Sequence, residues 1–298
     1  MSAQFTLSCC STVDLPYEHL VQRQVPVLFY TYVVDGQEYV DDMGRDPGAL
    51  PRFYRFLQEG KLPQTSQINV AAYTAFFEEQ LQKGDLLHIA FTSGQSGSVN
   101  NAYIAAELLR EKYPQRKIQV IDSLCSSSGY GLLVDEAADL RDAGKTLEET
   151  AQWVLENRNR VHHQFFSSDM TQFRRTGRVS GAAAMVATVL NICPIMRLND
   201  EGRIIAYDKV RGKKKAVATT VENMLQHAQN GADYAGRCYL CNSNCPEDAK
   251  LLADAIEEEF PHLRGKIVHC DIGTIIGSHA GKGTVAVFFL GDERPHME

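Results

Sequence analysis

Phe91-Thr92-Ser93-Gly94-Gln95-Ser96-Gly97-Ser98-Val99-Asn100-Asn101-Ala102 is the stretch on which the fold turns. An apolar run, Leu86 to Phe91, feeds into it, and a helix-like run, Ala102 to Lys112, leaves it. Between them stand glycines and hydroxyls and nothing bulky. A strand, a Gly/Ser loop and a helix in that order set unpaired backbone N–H groups and hydroxyls at a positive helix start. In an open parallel sheet that point is the carboxyl edge of a strand, where ligands bind. The stretch is expected to seat a small anion.

On the amino-terminal side, Phe5 to Ser8 reads as a strand. Ser11, Thr12 and Asp14 read as turn or cap residues before a short helix, Tyr17 to Gln22. Pro26 to Val34 reads as one strand, and Asp35-Gly36 as a hairpin turn into Gln37 to Val40. Pro51 to Gln58 is predicted helical, ending at Gly60. Thr65-Ser66 is expected at the start of the next helix, Ile68 to Gln82, which would make a second hydroxyl pair before a helix. Lys117 to Ile121 is a strand, Asp122 to Gly129 a polar loop, and Tyr130 to Ala143 a helix. Thr146 to Glu149 forms a capping box opening Glu148 to Asn159. Strand and helix alternating at this spacing predict a parallel sheet with crossover helices, an α/β domain over residues 1–160.

Residues 161–298 have another texture. His162-His163 reads as a solvated, polar helix end, and Gln164-Phe165-Phe166 as the start of a strand. Gly181 to Leu190 reads as a helix of small residues. Cys193 to Leu198 and Arg203 to Tyr207, joined at Asn199-Asp200-Glu201-Gly202, read as an antiparallel pair. A basic run, Arg211 to Lys215, precedes a helix, Ala216 to Gln229. A strand (Arg237 to Asn242), a helix (Pro246 to Phe260) and a strand (Lys266 to Asp271) follow. Ile275 to Thr284 is predicted to be a glycine-rich loop carrying His279, before a last strand, Val285 to Leu290. This half is expected to be a mixed α+β domain.

The 298 residues are 44% hydrophobic, enough for two ordinary cores, and the formal charge of −7 speaks against general binding to nucleic acid. Eight scattered cysteines form no disulfide framework, and Met1 to Ser11 lacks a basic leader and an apolar core. The expected location is the cytoplasm.

Gly94 to Ser98 nearly spells G-x-S-x-G, but the second glycine comes one place early and no acid stands out to complete a triad. Ser96 is better used to bind an anion than to attack a substrate. No Gly-Lys-Ser/Thr follows, so no phosphate loop is present. Cys238, Cys241 and Cys245 lack a second C-x-x-C and read as buried apolar residues, so no metal is expected. Arg211 to Lys215 reads as a solvated face or as a docking site for an acidic partner. His279, among Gly277, Gly281 and Gly283, can offer an imidazole N–H to an anion.

Taken together these motifs resemble the DegV family, the fatty-acid-binding proteins that act as the lipid-carrying subunit of bacterial fatty acid kinase. The resemblance runs from Ser11 to near Leu290. It rests on Ser11-Thr12-Val13-Asp14-Leu15-Pro16, Thr65-Ser66-Gln67, Ser96-Gly97, Ile121-Asp122-Ser123 with Gly129-Tyr130-Gly131, Thr176 to Ser180, Leu190-Asn191-Ile192 with Pro194-Ile195, Lys209 to Lys214, and Gly277 to Gly281. It implies a two-domain fold with a long-chain fatty acid in the cleft between the domains. Thr65, Ser66, Ser96 and Gly97 would hold the carboxylate, with Arg178 and His279 beside it. Arg211 would engage a separate kinase, which supplies ATP and metal, so that this chain holds no cofactor and no catalytic residue. Transient contact with a membrane surface is a further expectation. The other reading is an enzyme acting on a small carboxylate or phosphate in the same cleft. The family commonly has Asp where Cys10 stands, Lys at Cys193, Pro at Lys282 and a small apolar pair at Gly94-Gln95.

Overall fold

The computed structural model describes residues 5–180 and 191–296, and the expected small-residue helix over Gly181 to Leu190 lies outside the described residues. The first half runs β1 (Phe5–Cys10), α1 (Tyr17–Gln22), β2 (Val27–Leu28), β3 (Thr31–Val34), β4 (Gln37–Val40), α2 (Ala49–Gln58), β5 (Gln64–Thr65), α3 (Val70–Leu81), β6 (Asp85–Ala90), α4 (Ser98–Lys112), β7 (Ile118–Asp122), α5 (Ser127–Asp142) and α6 (Leu147–Asn157). The second runs β8 (Val161–Ser167), α7 (Thr171–Thr176), β9 (Val179–Ser180), β10 (Ile192–Leu198), β11 (Ile204–Arg211), α8 (Lys213–His227), β12 (Tyr239–Asn242), α9 (Pro246–Glu259), β13 (Val268–Asp271), α10 (Thr274–Ala280) and β14 (Thr284–Leu290).

Four strands form a wholly parallel sheet in the order β2-β1-β6-β7. From β1 the chain goes first to one side and then to the other, so the order reverses between β1 and β6. That reversal opens a crevice at the carboxyl ends of the two strands. Leu86 to Ala90 are all buried, as a strand covered on both faces requires. The Thr146 capping box is present, its hydroxyl accepting from Glu149 N–H at 3.1 Å while the Glu149 carboxylate accepts from Thr146 N–H at 2.9 Å.

Two expectations for this half are corrected. Pro26 to Val34 is not one strand. Val27–Leu28 pairs with β1, whereas Thr31–Val34 joins a separate antiparallel sheet, β4-β3-β5. The break falls at Tyr30, whose N–H is taken by the Ser11 hydroxyl (3.1 Å) and whose carbonyl accepts from Asp41 N–H (3.0 Å). Thr65-Ser66 does not start a helix either. Thr65 lies in β5, opposite Tyr32, and α3 begins after Asn69, whose side chain accepts from Ala72 N–H at 2.9 Å. Asn is among the best residues for that position.

The second half is built on a seven-stranded mixed sheet, β13-β12-β14-β8-β10-β11-β9. Side chains alternate across its two central strands. Phe166, Val287 and Phe289 enter a core with α8 and α9, while Phe165, Ala286 and Phe288 face the first half. The same alternation corrects the reading of His162-His163. Both are buried on β8, one on each face of the sheet, because the helix before them has already ended in a short turn over Arg158–Arg160. The glycine-rich loop is corrected too, since His279 lies in α10. A Cβ at Gly277 would sit 2.9 Å from the Phe53 ring, so this glycine serves close helix packing, and Gly281 (φ +68°) ends the helix.

The halves are stitched together by polar contacts. Asp14 accepts from Gly273 N–H at 3.0 Å, and Asp41 accepts from the N–H (3.1 Å) and hydroxyl (2.8 Å) of Thr274, so two acids from the first half grip the start of α10. The Tyr54 hydroxyl donates to the Ile272 carbonyl at 3.3 Å. At the other side of the crevice, Gly94 meets the β10–β11 turn backbone to backbone. A Cβ there would lie 2.5 Å from the Glu201 carbonyl oxygen.

Candidate functional site

The loop after β6 brings Ser96 and Gly97 to the start of α4. The Ser96 hydroxyl accepts from Ser98 N–H at 3.3 Å, which leaves its own proton free to point outward. Gly97 lets a second segment come close, since a Cβ there would lie 3.0 Å from the Gln67 amide. Gln67 follows β5, so the packing that admits it also carries Thr65 and Ser66 to the same place. From the far end of the chain, α10 brings His279, whose Nε2 is 2.9 Å from Thr65 Oγ1.

Thr65, Ser66, Ser96, Gly97, Arg178 and His279 line one cleft with an empty volume of about 1010 Å³ counted out to its mouth. Arg211 is apart from it, exposed at the end of β11. The cleft is also lined by apolar side chains, among them Phe165, Leu198, Ile204, Ile276, Ala286 and Phe288.

The electrostatics favour holding a carboxylate. Burial, with the Arg178 charge adding to it, lowers the His279 pKa to about 4, so the ring is neutral at pH 7. Arg178 is exposed, and its guanidinium donates to the Thr176 carbonyl. The N-terminal turn of α4 adds the positive end of a 15-residue helix. An anion placed here meets neutral donors and a helix dipole, with one guanidinium near the entrance.

Several lining residues were missed from sequence. Thr12 Oγ1 and His279 Nδ1 are buried without a hydrogen-bond partner among the described residues, and both residues line this cleft, as does Tyr30. Each such atom costs about 1–3 kcal/mol unless something pairs with it, so the cleft is shaped for a polar group. Ser11-Thr12 had a signal, the hydroxyl cluster after β1, read as capping. Tyr30, within a run read as one aromatic strand, had none. Gln95 ties the head of the cleft together, its amide donating to the Gly202 carbonyl (3.2 Å) and accepting from Ser126 Oγ (3.4 Å). His163 lines the cleft as well and accepts from Ser126 N–H at 3.0 Å. Cys238 and Cys241 are buried among apolar side chains, and burial raises both thiol pKa values.

Comparison with known proteins points one way. A family model described as "uncharacterised protein, DegV family" matches residues 10–292. A DegV domain-containing protein of Clostridium perfringens is 36% identical over 293 residues, covering 98% of this chain and 99% of its own. A DegV family protein of Thermus thermophilus, solved for its fatty acid binding, superposes with a TM-score of 0.84 at 26% identity over 97% of this chain and all (100%) of the other. The fatty acid kinase B3 protein of Streptococcus pneumoniae, solved with linoleic acid, shares the fold with a TM-score of 0.81 at 23% identity, covering 97% of this chain and 100% of that one.

Proposed function

Because the chain belongs to the DegV family, we propose that it is a carrier that binds a long-chain fatty acid and presents the carboxylate to a separate fatty acid kinase. In this reading the cleft separates an N-terminal domain, residues 1–160, from a C-terminal domain, residues 161–298. Thr65, Ser66, Ser96 and Gly97 hold the carboxylate, His279 orients Thr65, and Arg178 guards the entrance. The acyl tail runs along the apolar wall, where each buried CH₂ is worth about 0.8 kcal/mol. Chemistry is left to the kinase, which supplies ATP and metal, and Arg211 is the contact offered to it.

The observation that carries the reading is one cleft with two characters. Hydroxyls from β5 and from the start of α4 meet beside a neutral imidazole, and aromatic and aliphatic side chains share the lining with them. The named activity of the Thermus relative supports the same ligand class. A ligand with a charged head and a greasy body satisfies both, whereas a small carboxylate or phosphate would leave the apolar wall uncovered.

Extraction of the purified protein followed by mass spectrometry is expected to yield fatty acid. After delipidation the protein is expected to bind labelled palmitate or oleate with one site. A protein that co-purifies with no lipid and binds neither probe would overturn the proposal.

A further inference from the structure

We propose that His162, His227 and Asp292 bind a single divalent transition-metal ion of the zinc class, on the face of the seven-stranded sheet that turns away from the cleft. The three residues come from β8, from the last residue of α8 and from the segment just after β14. His162 Nε2 is 2.9 Å from Asp292 Oδ1, and His227 Nδ1 is 3.1 Å from Asp292 Oδ2. All three donor atoms lie within 4.8 Å of one another. A tetrahedral zinc with bonds of about 2.0–2.1 Å wants its donors about 3.4 Å apart, so the ion enters as the carboxylate moves and His162 Nε2 gives up its 3.0 Å contact with the Asp292 carbonyl, the ring proton passing to Nδ1.

The rings are already held in place. His162 lies stacked between Phe289 (centroids 5.1 Å apart, planes 8° apart) and His227 (5.0 Å, 19°). Asp292 is fixed from its backbone, its N–H donating to the His227 carbonyl at 3.1 Å. Only glycine can precede it, because a Cβ at Gly291 would lie 2.1 Å from the His227 carbonyl oxygen and 2.9 Å from the His162 ring. Two imidazoles and one carboxylate are a ligand set zinc accepts, and the exposed side at Asp292 leaves the fourth position to water.

Such an ion would clamp the segment after β14 to α8. That segment continues to Arg294, a buried side chain that donates to the Leu124 carbonyl (2.8 Å) and to Asn159 Oδ1 (3.0 Å). The clamp therefore reinforces the strap that closes the second half onto the first.

Full-length protein stripped with a chelator is to be titrated with Zn²⁺ against a chromophoric indicator, and with Co²⁺ while its visible bands are followed. One equivalent is expected, with cobalt bands of four-coordinate strength and a raised melting temperature with Zn²⁺. His227→Gln and Asp292→Asn are each expected to weaken Zn²⁺ by more than the roughly 10–100-fold that even an outer hydrogen-bond partner of a ligand is worth. His296→Gln, at the separate His296–Asp200 pair (3.1 Å), is expected to change nothing. Fatty acid binding by all three variants reports that they remain folded. Wild type that binds Zn²⁺ no tighter than His227→Gln or Asp292→Asn would overturn the site and leave a hydrogen-bonded His–Asp–His cluster in its place.

Discussion

Thr65 Oγ1 and His279 Nε2, 214 residues apart in the chain, lie 2.9 Å from each other at the wall of the cleft. A hydroxyl has one proton. If Thr65 gives it to a bound carboxylate, it must accept from His279, which assigns the proton of the neutral ring to Nε2 and leaves Nδ1 as a bare acceptor. In the proposed reading the pair acts as a unit, with the imidazole turning the threonine toward the ligand.

Thr65→Ala and Ser96→Ala are each expected to weaken fatty acid binding by about 1–3 kcal/mol, the worth of a hydrogen bond to a charged group plus the partner it strands. Displacement of a fluorescent fatty acid measures this. Unchanged affinity in both variants would move the head group elsewhere.

His279 also makes stability depend on pH. Its folded pKa of about 4 lies below the unfolded value near 6.5, so the unfolded chain takes up the proton first. The stability that the neutral ring contributes is complete above pH ~6.5 and is lost as pH falls toward 4, at no more than about 1.4 kcal/mol per unit. His88 and His163, depressed mainly by burial, act in the same sense, whereas the raised carboxyls of Asp14 and Asp41 act in the opposite one. Urea titrations at pH 7 and pH 5 are expected to show a smaller loss for His279→Gln than for wild type. Equal losses would contradict the burial of a neutral ring there.

Gly94→Ala and Gly202→Ala are expected to destabilise the protein by roughly 1–3 kcal/mol, through overpacking at both positions and left-handed backbone at Gly202. Gly202 has φ +71°, and a Cβ there would lie 2.1 Å from Thr92 Oγ1. Gly84→Ala, with nothing within 4 Å among the described residues, serves as the control in the same unfolding series.

Ala286→Leu places extra carbon in the apolar wall of the cleft. Competition between fatty acids of different length is expected to shift toward shorter chains, each CH₂ that no longer fits forfeiting about 0.8 kcal/mol. An unaltered length preference would mean that the tail takes another route.

Arg211→Ala is expected to leave fatty acid binding intact, since the side chain is exposed and away from the cleft. Transfer of phosphate to the bound carboxylate by an added kinase is expected to fall. Loss of lipid binding instead would show that its role has been misassigned.

The strand, loop and helix around Ser96 were legible because their signal is local: an apolar run, then small polar residues, then helical spacing. The Thr146 capping box and the Asp35-Gly36 turn (φ +50° and +80°) were legible for the same reason. Thr65 was found as a residue but given the wrong surroundings, because a hydroxyl pair before an apolar helix looks like a cap until Asn69 takes that place. His279 was put in a loop since glycine has two uses, freedom and closeness, and Gly277 has the second, against Phe53. His162 and His163 were misread because two adjacent polar side chains do not reveal a strand buried on both faces. Thr12 and Tyr30 were not recognised as lining residues, for their meeting in the cleft depends on partners far along the chain.

Asp14 and Asp41 hold the first turn of α10, and that hold has a bearing on how the protein is made. A ribosome that has delivered the first 160 residues has already produced Thr65 and Ser96, yet nothing is there to orient the threonine. The imidazole follows the threonine by 214 residues, on a helix whose first turn is held by acids of the first half. In the proposed reading the head-group site is therefore complete only once both halves have been made and have closed on each other.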